Sequence, residues 1–249
     1  MKILLLGGTQ EGKQLAEWFA NQPQIELIYS TKKALTRPSA DYTTIHGGFS
    51  GVNGLAEKLK NEGFDLLLDM TYPYAAKMSQ NAVIAASLSS VPIWSFQSPP
   101  WIAEPDNQWY FYSSLPEVLE AITPYHRCFF STANGLQKKW NTIPSHQHWF
   151  IRCRSEKGQK TTDQRRFIEG RGPLEYDEAF KHFVSLEIEV LISYDSGGKA
   201  AKAKIEAAKA ASIPVFFICR PIPQQTDRQF TNITSIKNAL IQDYCLNVA

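Results

Sequence analysis

Cysteine is scarce in this 249-residue chain, and Cys128, Cys153, Cys219 and Cys245 form no CxxC pair and have no histidine at ligand spacing. A zinc site and a disulfide framework are therefore not indicated, and reduced, mostly buried thiols are expected. Long hydrophobic runs are missing as well, since no apolar stretch approaches the ~20 residues a membrane-crossing helix needs. The apolar opening from Met1 to Leu6 stops at Gly7 with no small-residue cleavage site after it, so it reads as a strand and not a signal, and a cytoplasmic protein is expected. An excess of one charge is also absent: 26 Lys and Arg against 24 Asp and Glu leave a formal net charge of +2, spread along the chain. That excess is too small to imply nucleic-acid binding, and local basic clusters stay open as a separate question. Neither HExxH nor any Ser/His/Asp arrangement can be built from the five histidines, and no metal site is expected.

What remains is a composition of 43% hydrophobic and 20% charged residues, that of a globular protein long enough for two small α/β domains. Lys2 to Leu6 is an apolar strand ending in Gly-Gly, and from Glu11 the spacing of Leu15, Trp18 and Phe19 is helical. Strands are predicted at Ile25–Tyr29, Phe64–Asp69 and Val91–Phe96, with helices over Val52–Glu62 and Ala75–Ser89 between them. After a Pro- and Trp-rich passage from Ser98 to Pro124, strands follow at Arg127–Thr132, Trp149–Arg152, Val190–Ser193 and Ile213–Ile218, with an alanine-rich helix over Lys199–Ala211. The basic segment from Ser155 to Gly172 reads as a loop or as partly strand-forming. This alternation predicts an α/β protein with two Rossmann-like parallel-sheet domains and an interdomain cleft. The boundary is expected near residue 125, giving a nucleotide-binding domain over 1–125 and a second α/β domain over 126–249.

Gly7-Gly8-Thr9-Gln10-Glu11-Gly12 lies where the first strand meets the first helix. There, backbone N–H groups and the helix dipole can receive a pyrophosphate. The spacing is neither G-x-G-x-x-G nor a P-loop, so a tight turn that simply needs glycine stays open as the other reading. The second strand ends in Ser30-Thr31-Lys32-Lys33, without the acidic residue of an NAD-selective site. Hydroxyls and ammoniums suit a 2′-phosphate, hence NADPH, although a solvated turn would look the same. Asp69, Thr71 and Pro73 follow the third strand, where Pro73 and Tyr74 could wall a nicotinamide pocket; Asp69 or Thr71 could equally cap the next helix. In the second half, Tyr194-Asp195-Ser196-Gly197-Gly198 links strand to helix, with Lys199, Lys202 and Lys204 just beyond. Such a terminus receives carboxylates or phosphates, unless Asp195 or Ser196 is merely the cap and the lysines face solvent.

Several of these segments together resemble the precorrin-6A reductase and cobalt-precorrin-6A reductase family. The stretch from Ile3 to Ala16 is similar to that family's Leu-Gly-Gly-Thr-x-Glu-Gly-Arg-x-Leu-Ala, and Asp69 to Ala75 to its Asp-Ala-Thr-His-Pro-Phe-Ala. Gly170-Arg171-Gly172-Pro173-Leu174 resembles Gly-Arg-Gly-Pro-Phe. Ser196-Gly197-Gly198, Ala203 to Ala208, Ile213-Pro214-Val215 and Arg220-Pro221 resemble the closing signature in order and spacing. Tyr72 stands where the family usually has histidine, Tyr194 where it has lysine, and Ser98 where it has arginine. The resemblance implies hydride delivery from NADPH to a polycarboxylated tetrapyrrole of cobalamin biosynthesis. Under it, Gly7 to Gly12, Ser30 to Lys32, Asp69, Thr71 and Pro73 would hold the cofactor. Arg171, Ser196, Gly197, Gly198 and Lys204 would hold the substrate, and the proton would come from water, Tyr72 or Tyr194. A monomer or weak dimer, free of nucleic acid and membrane partners, is expected. The rival readings are a redox sensor that has kept the nucleotide loop and another NADP-dependent reductase. For a short-chain reductase the Tyr-x-x-x-Lys pair is missing, since Tyr74 to Lys77 is only Tyr-x-x-Lys.

Overall fold

The computed structural model describes residues 1–32, 41–155, 158–170 and 172–244, without the side chains of 199 and 200. The chain divides into two compact units, Met1–Pro99 with Pro221–Ala249, and Pro100–Arg220. The first contains β1 (Lys2–Leu6), α1 (Gln10–Ala20), β2 (Glu26–Thr31), β3 (Thr43–His46), α2 (Gly51–Asn61), β4 (Leu66–Asp69), α3 (Ala76–Ser89) and β5 (Ile93–Phe96). The second contains β6 (Trp109–Tyr112), α4 (Leu115–Ala121), β7 (Arg127–Phe130), a 3₁₀ turn (Gln137–Thr142), β8 (His148–Cys153), β9 (Arg165–Glu169), α5 (Tyr176–Ser185), β10 (Val190–Tyr194), α6 (Lys199–Ala210) and β11 (Val215–Ile218). The chain then returns to the first unit with β12 (Arg228–Phe230) and α7 (Ile233–Tyr244).

Each unit has one six-stranded sheet, ordered β12-β5-β4-β1-β2-β3 in the first and β6-β11-β10-β7-β8-β9 in the second. Every pairing between the named strands is parallel. A parallel sheet needs cover on both faces, and β1 shows how the sequence meets that need. Ile3 and Leu5 point to one face and pack with Leu15 and Phe19 of α1 and Ile236 and Leu240 of α7. Leu4 and Leu6 point to the other and pack with Leu55 and Leu59 of α2 and Ala82, Ala85 and Ala86 of α3. An unbroken apolar run therefore becomes a strand buried on both sides. In the second unit Phe129, Leu191, Val215 and Phe217 form the equivalent core with Phe183 of α5 and Ile205 of α6.

The winding reverses between β1 and β4 in one sheet and between β7 and β10 in the other. Open parallel sheets bind ligands at such switch points, beyond the carboxyl ends of the strands. The sixth strands are exchanged: after β5 the chain adds β6 beside β11, and after β11 it returns to add β12 beside β5.

This exchange is why the units divide elsewhere than near residue 125. The Ser98 to Pro124 passage holds an edge strand, Trp109-Tyr110-Phe111-Tyr112, whose Tyr110 and Phe111 stay exposed, so it lacks the apolar signature of its neighbours. At the other end, β12 is only three residues long and shows no pattern of its own. The basic segment after Ser155 does contain a strand, β9, and α5 occupies a stretch to which the sequence reading assigns no element. If the C-terminal helix completes the first core, Leu240→Ala will cost about 2–5 kcal/mol. Ile222→Ala, at an exposed position, will cost under about 0.5 kcal/mol. Urea unfolding followed by tryptophan fluorescence measures both.

Candidate functional site

In the first unit the turn after β1 is held from three directions. Gly7 donates its N–H to Ser30 O at 2.8 Å, and a Cβ at Gly7 would lie 2.4 Å from Cζ of Tyr29. Gly8 has φ of 155°, which side-chain-bearing residues rarely adopt, and its Cα faces the backbone N of Tyr72. Thr9 is the N-cap of α1: its Oγ1 accepts from Gly12 N–H at 3.0 Å and donates to Met70 O at 3.0 Å. Gly12 packs so closely on Met70 that a Cβ would sit 3.3 Å from Met70 Cβ. The loop after β1 is thus fastened to the loop after β4.

That second loop is shaped by Asp69, a buried carboxylate accepting from Thr71 N–H at 3.0 Å and from Thr71 Oγ1 at 2.7 Å. Thr71 Oγ1 also lies 3.3 Å from Ser79 Oγ. Neither Asp69 nor Thr71 caps α3, because Ala75 holds the N-cap position and no side chain bonds there. The first-turn N–H groups of α3 lack that side-chain acceptor, and the helix has no acidic residue in its first turn.

These loops border a cavity of about 660 Å³. Gly7 and Gly8 form one side, Ser30, Thr31 and Lys32 another, and Thr71, Tyr72, Tyr74, Lys77 and Met78 a third. Tyr72 and Tyr74 stand with ring centroids 5.4 Å apart. Of the expected cofactor ligands, Gly7, Gly8, Ser30, Thr31, Lys32 and Thr71 come together here. Thr9, Gln10, Glu11, Gly12, Asp69 and Pro73 do not border the cavity; Thr9, Gly12 and Asp69 hold its walls instead. Lys33 lies outside the described residues. Gly47, Gly48 and Phe49 after β3, Asn81 of α3, Leu6 and Ala75 complete the lining. The second glycine pair, Gly47-Gly48, is the signal for that wall in the sequence.

At the second switch point, Asp195 is buried and accepts from Trp101 N–H at 3.0 Å and from Arg220 Nη2 at 3.2 Å. Arg220 Nε also donates to Asp195 O at 3.2 Å, so this arginine is committed to an internal ion pair and is no ready carboxylate receptor. Asp195 and Ser196 do not cap α6, whose N-cap is Gly198 with no side-chain bond, after Gly197 at φ 63°. Tyr194 donates from its hydroxyl to Asn134 O at 3.3 Å, and burial raises its pKa above the ordinary phenol value. Lys202 faces solvent beside Glu206, 3.4 Å away. Lys204 is different: burial, and then the neighbouring Arg152, lower its pKa to about 8. Arg171 lies outside the described residues, as does the side chain of Lys199. Among the described residues no three metal-ligating groups gather, and no helix is long and apolar enough to cross a membrane.

A model of the precorrin-6x reductase CbiJ/CobK family matches residues 2–240. The chain belongs to this family. A precorrin-6A reductase of Rhodobacter capsulatus is 30% identical over 222 residues, 88% of this chain and 88% of that protein. One from a Sinorhizobium species is 33% identical over 89% of this chain and 86% of its own length. A solved structure of the CobK precorrin-6A reductase superposes with a TM-score of 0.87 at 28% identity, covering 97% of this chain and 96% of that one.

A redox family built on Rossmann-like sheets implies a nicotinamide cofactor, and the first unit fits one. It offers a glycine turn at the end of β1, a helix start with no side-chain cap, and two tyrosine rings on one cavity. In both units the family positions Tyr72 and Tyr194 fall in loops or strand ends at the carboxyl edge of the sheet. Gly8→Ala is expected to weaken binding of the nicotinamide cofactor at least about ten-fold. The unfolding temperature should move by only a few degrees, as expected for a local backbone strain of about 1–3 kcal/mol. Titration calorimetry and thermal unfolding read the two effects separately.

Proposed function

We propose that this chain reduces one double bond of precorrin-6A, metal-free or carrying cobalt, with NADPH bound in the first unit and the carboxylates of the tetrapyrrole held by the second. The observation that carries the cofactor half is that a single cavity joins the Gly7-Gly8 turn, the Ser30-Thr31-Lys32 strand end and the Tyr72–Tyr74 loop. The substrate half rests on family membership.

When bound, NADPH supplies the hydride, so the protein's own residues need only bind, orient and deliver a proton. The backbone N–H groups around Gly8 and at the start of α3 would hold the pyrophosphate. Ser30, Thr31 and Lys32 recognise the 2′-phosphate with two hydroxyls and an ammonium, where an NAD-selective strand would end in a carboxylate that repels it. Tyr72 and Tyr74 would wall the nicotinamide, and the Asp69–Thr71 turn fixes the loop that presents them. The proton is taken to come from Tyr72, which borders the cofactor cavity, or from water reaching it. Tyr194 is kept protonated by its burial, with its hydrogen engaged by Asn134 O. Arg171, Ser196, Gly197, Gly198 and Lys204 remain the proposed substrate contacts.

The test follows NADPH absorbance with anaerobically prepared precorrin-6A and, separately, its cobalt complex. Oxidation with one of them is the expected result; tight NADPH binding with no oxidation by either would favour a sensor. Lys32→Ala should raise the KM for NADPH about ten-fold and leave that for NADH unchanged. Equal use of the two cofactors by the unsubstituted protein would contradict the reading of the β2 terminus. Tyr72→Phe should lower kcat about a hundred-fold with little change in KM.

A further inference from the structure

A glycine inside a helix is costly, because it gives up more chain entropy on folding than alanine does and packs no side chain. Gly54 stands fourth in α2, and the backbone just before the helix supplies a reason for it. Ser50 and Gly51 are both left-handed, with φ of 58° and 86°, so the chain doubles back as it enters the helix. That reversal lays the carbonyl of Phe49 against the first turn. A Cβ at Gly54 would overlap Phe49 O, and would stand 3.0 Å from Phe49 C and 3.3 Å from Ser50 Cβ. The nearest obstructing atoms are backbone, which cannot swing aside as the end of a side chain can. At Gly47 and Gly48, by contrast, a Cβ would meet nothing within 4 Å.

Phe49 is tied to the cavity of the first unit. The strand before it pairs with β2, His46 opposite Thr31, and Gly47 N–H donates to Thr31 O at 3.1 Å. Gly47, Gly48 and Phe49 therefore leave the sheet beside Ser30, Thr31 and Lys32, and all of these border the same cavity. Phe49 is half-buried and also packs against the core of Leu4, Leu6, Leu55 and Leu59. Its backbone is thus held by α2, and the residue serves core and cavity at once. An aromatic residue at this end of the sheet suits a purine, which stacks on such a surface.

We propose that Gly54 is a positioning residue for the nicotinamide cofactor: carrying no side chain, it admits the Phe49 carbonyl and so keeps the Gly47–Phe49 wall where the adenine end of the cofactor lies against it. The inference rests on the proposed seating of the cofactor in this cavity. Gly54 is not among the residues that border the cavity and acts only through Phe49. Its role also differs from that of Lys32, whose ammonium is assigned to the 2′-phosphate alone.

Calorimetric titration of the full chain with NADPH, NADH and adenosine 2′,5′-bisphosphate tests this, the last carrying the adenine end without the nicotinamide. Gly54→Ala should weaken all three about ten-fold, whereas Lys32→Ala weakens only the two that bear a 2′-phosphate. Phe49→Ala should likewise weaken all three, and Phe49→Tyr, which keeps the ring, should bind as the unsubstituted protein does. Because Gly54 acts through Phe49, the double variant should bind within about two-fold of Phe49→Ala; fully additive losses would overturn the proposal. On helix propensity alone, Gly54→Ala would raise the unfolding temperature and leave binding unchanged, and that result would also overturn it. Should Gly54→Ala not fold, Phe49→Ala carries the test, since unchanged binding of all three by that variant removes the wall on which the proposal stands. If the unsubstituted chain bound neither NADPH nor NADH, the seating itself would be wrong and the proposal would fall with it. Binding by the unsubstituted chain that Gly54→Ala leaves unaltered removes the proposal alone.

Discussion

The Thr9 hydroxyl is the contact on which the first unit's site depends. By accepting from Gly12 N–H and donating to Met70 O, it ties the loop after β1 to the loop after β4, across the point where the sheet reverses its winding. It adds to the Met70 N–H to Leu6 O bond at 2.9 Å, which already joins the paired strand ends from which the two loops start. With the clasp closed, Gly8 lies against the backbone of Tyr72, and Tyr29 fills the space under Gly7. The glycines are there for proximity as much as for backbone freedom, which is why the tight-turn and nucleotide readings of this segment are two aspects of one arrangement.

The two units share an architecture but differ in what stands at their switch points. The first has a glycine turn, a helix start without a side-chain cap and aromatic walls; the second has the buried Asp195–Arg220 pair. Within the second, Asp195 satisfies Arg220 internally, and breaking such a pair typically costs about 3–5 kcal/mol, so that arginine is best understood as a support for the loop after β10. Arg152 instead donates to the carbonyls of Gly172 and Pro173 and has no ion pair among the described residues. Lys202 and Lys204, two residues apart, thus differ in environment: one is solvated beside Glu206, while burial lowers the pKa of the other to about 8.

Much of this was legible in the residues. Apolar runs such as Ile3 to Leu6 and Leu66 to Leu68 can only be strands buried on both faces, and the helical spacing around Leu15 and Phe19 leaves little choice. The Gly-Gly turn and the Ser-Thr-Lys strand end were also readable, because position along a β-α unit carries meaning. What was not readable depends on distant partners. The exchange of β6 and β12 is decided by which sheet edge each strand meets, and neither the aromatic Trp109 to Tyr112 nor the three-residue β12 announces its neighbour. Likewise Arg152 looks like any strand-end arginine until Gly170 and Gly172, further along the chain, are seen against it. The cap reading of Asp69 failed for a local reason: its carboxylate closes a turn with Thr71 six residues before α3 reaches its N-cap at Ala75.

Hydrogen–deuterium exchange of the full chain with and without NADPH tests the central claim most directly, that the cofactor sits at the first unit's switch point. The account predicts slowed exchange at Gly7 to Gly12, at Ser30 to Lys32 and over Thr71 to Met78, with the strands of the second unit unchanged. Protection confined to the loops after β7 and β10, with the Gly7-Gly8 turn exchanging as before, would contradict it.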